Sequence, residues 1–177
     1  MHRPARYIVA LLATAAATAC TSVGDIPTDR VGQATLSFAN GLPAGTVQLV
    51  ADGASVSAIV AVTGLPEGQH GFHLHAVGKC EAPDFTSAGP HLNPGGRTHG
   101  TMSSGGAHLG DMPNLTVGAS GTATATIPLA GPRDTTLASI FDSDGTAVVI
   151  HADPDDYRTD PAGNAGKRIA CGVIRRS

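Results

Sequence analysis

The stretch Gln33-Ala-Thr-Leu-Ser-Phe38, followed by Asn40-Gly-Leu-Pro43, shows the pattern that decides the fold of this chain. Ala34, Leu36 and Phe38 share one face of the segment, and polar residues occupy the other face. This alternation with a period of two is typical of a half-buried strand. The Gly and Pro that follow indicate a turn. The stretch therefore predicts a strand that ends in a tight connection.

The same alternation of short runs and turn residues continues along most of the chain. The 177 residues include 23 Gly and 12 Pro, and only 14% are charged, which suits a loop-rich all-β protein. No window long enough for a helix carries a convincing helical stripe. Further strands are predicted at residues 46–50, 55–63, 71–76, 121–127, 147–152 and 168–174. About seven or eight short antiparallel strands predict a single domain, either a sandwich or a flattened barrel.

Residues 1–19 predict a signal peptide. Arg3 and Arg6 precede the apolar run Tyr7-Ile-Val-Ala-Leu-Leu-Ala13, which is too short to span a membrane. Cleavage after Ala19 fits an ordinary small-residue site, whereas Cys20 resembles the lipid acceptor of a bacterial lipoprotein. An incidental cysteine is the third alternative. Both cleavage routes lead out of the cytoplasm, to a membrane lipoprotein anchored through Cys20 or to a periplasmic or secreted protein.

Residues 20–31 predict a flexible tether between the leader and the domain. The segment has no hydrophobic period and contains Gly24 and Pro27, which interrupt regular structure. The strand pattern begins directly afterwards. We therefore expect the folded domain to occupy residues 32–177.

The charge of the chain excludes one class of partner. Its formal net charge is −3, and loss of a leader with two arginines and no acid makes the mature chain more negative. A chain without a basic surplus lacks the electrostatic footprint of a nucleic-acid-binding protein. A small anionic substrate remains compatible, because it responds to the local potential at a site and not to net charge.

The cysteine count predicts one disulfide. The chain contains only Cys20, Cys80 and Cys171. If Cys20 carries lipid, one pair remains in an oxidising compartment, where such pairs form bridges. A Cys80–Cys171 bridge would close a loop of about 90 residues, which the chain-entropy model values at about 4 to 5 kcal/mol. The alternative is two buried free thiols.

Residues 77–113 break the rhythm with a long segment rich in Gly, Pro and His. A loop of this length in a compact domain is usually functional or disordered, so something must order it. His2 belongs to the leader, and His70 is expected to make a structural hydrogen bond. The other six histidines lie in or near this loop, or at the end of a later strand: His73, His75, His91, His99, His108 and His151.

Four of these histidines suit copper. His73 and His75 lie two apart on a predicted strand, so both imidazoles project from one face and can reach one ion. A lone strand histidine is more often structural, but a third at the end of another apolar strand favours a metal. An all-imidazole set suits copper, which cycles between two oxidation states. We call this set the all-histidine group: His73, His75, His91 and His151.

A second set within the loop suits zinc. Three imidazole nitrogens and one carboxylate oxygen are typical ligands of a tetrahedral zinc ion. With four protein ligands no position is left for water, which indicates a structural zinc and argues against a zinc hydrolase. Asp111 alone could be a turn residue, but three histidines share its loop. We call this set the loop group: His91, His99, His108 and Asp111.

Six segments carry a family resemblance: Gly71-Phe-His-Leu-His-Ala76, Thr86-Ser-Ala-Gly-Pro-His-Leu-Asn-Pro94, His99-Gly100, His108-Leu-Gly-Asp111, Val148-Val-Ile-His151 and Gly163-Asn-Ala-Gly-Lys-Arg-Ile-Ala-Cys-Gly-Val-Ile174. In order and nearly in spacing they are similar to the signatures of copper,zinc superoxide dismutases, of the bacterial secreted or lipoprotein type. The resemblance spans roughly residues 33–175. Chance agreement of so many ordered motifs is negligible.

This resemblance implies a fold and a pair of cofactors. The fold is an all-β Greek-key, immunoglobulin-like sandwich or flattened eight-stranded barrel with long metal-binding loops. Copper would bind the all-histidine group and zinc the loop group, with His91 as a bridging imidazolate. Asp155 matches a carboxylate that links a copper histidine to a zinc histidine, here His73 and His99. Only its spacing from His151 distinguishes Asp155 from neighbouring acids that solvate the loop.

The resemblance also implies an activity. Two superoxide anions and two protons become oxygen and hydrogen peroxide through copper redox cycling, which protects the cell envelope from external superoxide. Arg168 matches the residue that guides superoxide, although it and Lys167 could be ordinary surface cations; the permanent charge and donor fork of arginine favour Arg168. His91 is the implied proton carrier, and Cys80 and Cys171 match the family disulfide.

Two departures and one alternative remain. The stretch between His151 and Gly163 is short, so the charged loop that helps to steer substrate in many relatives is trimmed. The spacing from Cys80 to His91 differs among family branches, so a homodimer is compatible with the sequence but is not singled out. The alternative function is a module of the same fold that stores or delivers copper without catalysis. The complete ligand sets and Arg168 favour the enzyme.

Overall fold

The computed structural model describes residues 28–177 of the chain. The predicted signal peptide, the lipid acceptor Cys20 and most of the predicted tether therefore lie outside the described residues. Within the described part, strands dominate and only one α-helix is present. None of its helical residues forms a segment long and apolar enough to cross a membrane.

Ten strands and one helix follow each other along residues 28–177. The strands are β1 Thr28–Phe38, β2 Pro43–Asp52, β3 Ser55–Val62, β4 Gly68–His70, β5 Phe72–His75, β6 Leu115–Val117, β7 Ala123–Pro128, β8 Ala147–His151, β9 Arg168–Val173 and β10 Arg175–Arg176. The helix α1 is Arg133–Ile140, and a 3-10 turn lies at Thr86–Ala88.

Eight of the strands form one curled antiparallel sheet. Its order is β5-β8-β9-β1-β2-β3-β7, β10 pairs with β1, and β4 and β6 form a separate two-stranded sheet. The alternation of side chains places one face of the large sheet around a continuous apolar core. Fully buried members of this core include Leu36, Leu49, Phe72, Leu74 and Ile150. The prediction of an all-β flattened barrel is confirmed.

Some elements differ from the sequence prediction. β1 begins at Thr28, four residues before the expected start of the domain, because residues 28–30 continue the ladder with the end of β2. Helix α1 was not predicted, since its eight residues bury only Thr136 and Ile140 and carry no apolar stripe. The strands β4, β6 and β10 have three residues or fewer. Segments this short carry no readable period.

The pairing of β5 with β8 positions one side of the site. His73 pairs with Val149 in this ladder, whereas Phe72 and Leu74 point into the core. The side chains of His73 and His75 therefore point away from the core, toward the long loop.

Residues 77–113 lie against the free edge of β5. Backbone hydrogen bonds link Leu74 N to Gly110 O at 2.9 Å and Leu92 N to Leu74 O at 2.8 Å. A side chain at Gly110 would collide with the Leu74 carbonyl oxygen, so this close approach requires glycine. The loop is thus held on β5 by main-chain contacts, and the histidines of strand and loop meet.

Candidate metal centre

The all-histidine group is assembled from two strands and the loop. His73 and His75 come from β5, His151 ends the neighbouring β8, and His91 reaches them from the loop. One ring nitrogen of each histidine lies within 4.8 Å of the corresponding nitrogen of every other member. All four side chains are buried. The structure therefore brings together all four histidines that the sequence assigned to this group.

The loop group closes around a single carboxylate oxygen. The Oδ1 atom of Asp111 lies 2.8 Å from His91 Nδ1, 3.1 Å from His99 Nδ1 and 3.0 Å from His108 Nδ1. The other oxygen of Asp111 accepts hydrogen bonds from the backbone amides of Gly100 and His108. Three nitrogens and one oxygen thus meet at one point, which is the donor set of a tetrahedral zinc site.

His91 belongs to both groups. Its Nδ1 faces Asp111 in the loop group, and its Nε2 faces the all-histidine group without a hydrogen-bond partner among residues 28–177. The rings of His91 and His73 lie 4.1 Å apart between centroids. The two groups are therefore adjacent and share one imidazole.

The all-histidine group passes a direct test of fit to a metal. Its four facing nitrogens are buried and have no hydrogen-bond partner within the described part of the chain: His73 Nδ1, His75 Nε2, His91 Nε2 and His151 Nε2. Leaving one buried polar atom unpaired costs about 1 to 3 kcal/mol. Four such atoms facing one point form the donor set of a metal ion with imidazole ligands.

The opposite nitrogens of three of these rings fix their tautomers. His75 Nδ1 donates to the Gly89 carbonyl oxygen at 2.8 Å, and His151 Nδ1 to the Gly166 carbonyl oxygen at 3.2 Å. His73 Nε2 donates to Asp155 Oδ2 at 2.8 Å. Because the proton of each neutral ring sits on the donating nitrogen, the nitrogen that faces the group carries a lone pair.

Asp155 joins the two groups. Its Oδ2 accepts from His73 and its Oδ1 accepts from His99 Nε2 at 2.9 Å. The side-chain amide of Asn114 holds the backbone of Asp155 in both directions, at 3.0 and 2.8 Å. The neighbouring Asp156 is exposed and caps its own loop through Thr159. The side chain singled out by spacing is therefore the one that touches the histidines.

Arg168 lies at the edge of the all-histidine group. Its guanidinium is half-buried and donates to the carbonyl oxygens of Phe85 at 2.7 Å and Gly89 at 2.8 Å. Gly89 O also accepts from His75, so one carbonyl oxygen contacts both side chains. Arg168 and Lys167 line a hollow of about 450 Å³ at the surface. A fixed cation thus lines a hollow that also contains Gly166, whose carbonyl oxygen accepts from His151.

Burial keeps three members of the all-histidine group neutral, His75, His91 and His151. Burial, with a smaller contribution from the nearby His73, lowers the pKa of His91 to about 4 and that of His151 to about 3. Burial, together with His91, also lowers the pKa of His75 well below its usual range. Neutral imidazoles are the protonation state that binds metals.

The two acids of the site, in contrast to the histidines, are held in their charged form. Burial alone raises the pKa of Asp111, but the hydrogen bonds from His91 and from the Gly100 amide outweigh burial and hold it well below its ordinary value. For Asp155 burial is likewise outweighed by the hydrogen bonds from His73 and His99. Both side chains are therefore carboxylates.

The remaining sequence predictions concern Cys80, Cys171 and His70. The Cys80–Cys171 disulfide is present, with a Cα–Cα distance of 5.7 Å, and the alternative of free thiols is wrong. His70 is buried, and its ring nitrogens contact the carbonyl oxygens of His151 and Pro66, the structural role that was expected. Sequence reasoning missed Asn114 and Tyr157. Asn114 lies three residues after Asp111 and Tyr157 two after Asp155, and this proximity was the only signal available.

Fold and site together define a class: an all-β metalloprotein with two adjacent ion-binding groups on one edge of a curled sheet. Residues 43–174 match the family described as copper/zinc superoxide dismutase. The chain belongs to this family. It is therefore an enzyme with superoxide dismutase activity, superoxide as substrate, and copper and zinc as cofactors.

Named relatives support the assignment. The chain is 43% identical over 134 residues to superoxide dismutase [Cu-Zn] 2 of Aquifex aeolicus, covering 74% of this chain and 78% of the relative. It is 46% identical over 112 residues to superoxide dismutase [Cu-Zn] 1 of that organism, covering 62% and 66%. The Caulobacter vibrioides superoxide dismutase [Cu-Zn] is 39% identical over 150 residues, covering 80% and 84%.

Solved structures show the same fold. A SOD-like protein from Bacillus subtilis superposes with a TM-score of 0.73 at 35% identity, covering 80% of this chain and 96% of that one. The Cu/Zn superoxide dismutase from Brucella abortus superposes with a TM-score of 0.66 at 25% identity, covering 84% and 100%.

Proposed function

We propose that this chain dismutes superoxide by redox cycling of a copper ion on the all-histidine group, with a zinc ion on the loop group. The observation that carries this proposal is the set of four buried, unpaired nitrogens that face one point, His73 Nδ1, His75 Nε2, His91 Nε2 and His151 Nε2. A copper ion held by these four nitrogens would supply a one-electron redox couple for the exchange between two superoxide anions. The balance is two superoxide anions and two protons in, one oxygen and one hydrogen peroxide out.

Arg168 is the proposed guide for the anion. A guanidinium stays charged at every physiological pH, and two carbonyl oxygens fix its direction beside the hollow. Asp84 lines the same hollow, and its negative charge interacts with the guanidinium of Arg168. The exposed Lys167 adds a second positive charge at this opening. This local potential attracts a small anion in spite of the negative net charge.

His91 is the proposed proton carrier. Its Nε2 is the atom that would hold the proton, and its Nδ1 is directed at Asp111. Asp155 orients His73 and His99, and so fixes the position of one ligand group relative to the other.

The role proposed for zinc is structural. All four ligands of the loop group come from the protein, His91, His99, His108 and Asp111, so the site keeps no open position for a reacting water. All four lie in a loop without helix or strand between the turn at Thr86–Ala88 and β6. A zinc ion there would hold the irregular loop on β5.

We further propose that the enzyme acts outside the cytoplasm and protects the cell envelope from external superoxide. The leader pattern, with cleavage at Ala19 or lipid on Cys20, supports export. The Cys80–Cys171 disulfide supports an oxidising compartment. In this proposal residues 20–27 connect the domain to the membrane or to the cleaved N-terminus.

The test compares the metal-loaded protein with its His151→Ala variant. Superoxide consumption should fall by at least about a hundredfold in the variant, because one donor of the all-histidine group is lost. Zinc content should stay at one ion per chain, since His151 is not in the loop group. Similar consumption by both proteins would remove copper turnover as the function and favour a copper-storage module.

A further inference from the structure

Tyr157 is a residue outside both ligand groups whose backbone conformation is unusual. Its φ is 61°, in the left-handed region that a bulky side chain rarely occupies. Such a conformation persists only where surrounding contacts hold it in place. Tyr157 follows Asp155 by two residues and is half-buried.

The backbone of Tyr157 contacts both the shared carboxylate and the start of the loop group. Its amide donates to Asp155 Oδ1 at 2.6 Å. Its carbonyl oxygen accepts from the amide of Met102 at 3.1 Å. A side chain on Gly100 would collide with this carbonyl group. The close approach of the two segments therefore requires glycine at position 100, directly after His99.

The side chain of Tyr157 contacts the other end of the same loop. Its phenol oxygen accepts from the backbone amide of Asn114 at 2.9 Å. Asn114 lies three residues after Asp111, and its side-chain amide pairs with the backbone of Asp155. The left-handed backbone thus lets one residue reach Met102, Asn114 and Asp155 at once.

We propose that Tyr157 is a positioning residue for the loop group. Its three contacts fix the entry of the segment after His99, its exit at Asn114, and the carboxylate of Asp155 that orients His99. Without the phenol oxygen, Asn114 loses a backbone partner and the exit of the segment is held less firmly. The inference rests on the zinc assignment proposed above.

The test is Tyr157→Phe in the full chain loaded with copper and zinc. The variant keeps the ring and the backbone contacts and loses only the phenol oxygen. Zinc should dissociate about tenfold faster into a colorimetric chelator, the lower range for residues that support ligands. Cobalt(II) bound in place of zinc should show shifted visible absorption bands, since its ligands are less firmly oriented.

Ser87→Ala is the matched control. Its hydroxyl oxygen also accepts a backbone amide, that of Glu81 at 2.8 Å, but it lies before His91 and touches no member of the loop group. Ser87→Ala should release zinc at the wild-type rate and leave the cobalt bands in place.

Two results separate failure of this inference from failure of the proposed function. If wild type holds zinc and Tyr157→Phe releases it at the same rate with unchanged cobalt bands, the inference is wrong, even if the variant melts at a lower temperature. If wild type holds no zinc at the loop group, the zinc assignment itself is wrong and the inference falls with it.

Discussion

The all-histidine group and the loop group differ in what holds their ligands. His73, His75 and His151 lie on β5 and β8, whose ladder is part of the apolar core. His99, His108 and Asp111 lie in an irregular segment that main-chain hydrogen bonds hold on β5 and that side-chain contacts gather around Asp111. A strand fixes the direction of a side chain by its period, whereas a loop fixes it only through contacts from elsewhere. The three strand histidines should therefore keep their directions without metal, whereas the loop ligands should depend on it.

Acid should produce the largest effect, and it acts on the all-histidine group. The pKa of His91 is lowered from 6.5 to about 4 and that of His151 from 6.5 to about 3, and His75 is lowered as well. Between pH 6.5 and 4 the unfolded chain therefore binds protons that the folded, metal-free chain does not. As the pH is lowered through this range, the free energy of unfolding of the metal-free protein should fall by about 1.4 kcal/mol per pH unit for each of the three histidines.

Urea unfolding of the metal-free protein at several pH values measures this slope. In His151→Gln the slope between pH 6.5 and 4 should be smaller by about 1.4 kcal/mol per unit, because one titrating group is gone. An unchanged slope in that variant would mean that His151 is not held neutral by burial.

Gly110→Ala should weaken the attachment of the loop to β5. The added methyl group would meet the Leu74 carbonyl oxygen and lie 3.0 Å from Leu92 N, both of them backbone atoms that cannot move aside cheaply. We expect a loss of about 2 to 3 kcal/mol in the free energy of unfolding by urea. Gly118→Ala is the control, because its methyl group would enter open space. That control should stay within about 0.5 kcal/mol of wild type.

Arg168→Lys should give the smallest effect, and it tests the surroundings of the all-histidine group. Lysine keeps the charge but cannot donate to both Phe85 O and Gly89 O. We expect kcat/KM for superoxide to fall about tenfold, equal to about 1.4 kcal/mol, with copper content unchanged. Lys167→Ala removes a neighbouring exposed charge and should cost less. Loss of copper in Arg168→Lys would instead give Arg168 a structural role.

The same contrast explains what the sequence could predict. The pair His73 and His75 was recognisable because spacing of two on a strand fixes a common face, and His151 because it ends an apolar run. The loop ligands were recognisable from residue type and family resemblance. Asn114 and Tyr157 were not, since they act through contacts across 41 and 43 residues of sequence. No local pattern encodes such contacts.

The fold shows a similar division. β1 was predicted from the alternation of Ala34, Leu36 and Phe38, but its first residues are polar, and pairing with β2 extends the strand to Thr28. Helix α1 was missed because only Thr136 and Ile140 are fully buried and the helix carries no apolar stripe. Regular segments with a strong period are predictable, and segments that tertiary contacts stabilise are not.

The carbonyl oxygen of Gly89 has a consequence for the newly made chain. It holds both His75 and Arg168, and it lies on the loop that Cys80 fastens to Cys171 of β9. Without the disulfide this segment would lose its covalent link to β9, and the shared acceptor of His75 and Arg168 would be held by noncovalent contacts alone. Formation of the disulfide therefore stabilises the acceptor of one ligand imidazole and of the guanidinium at the same time.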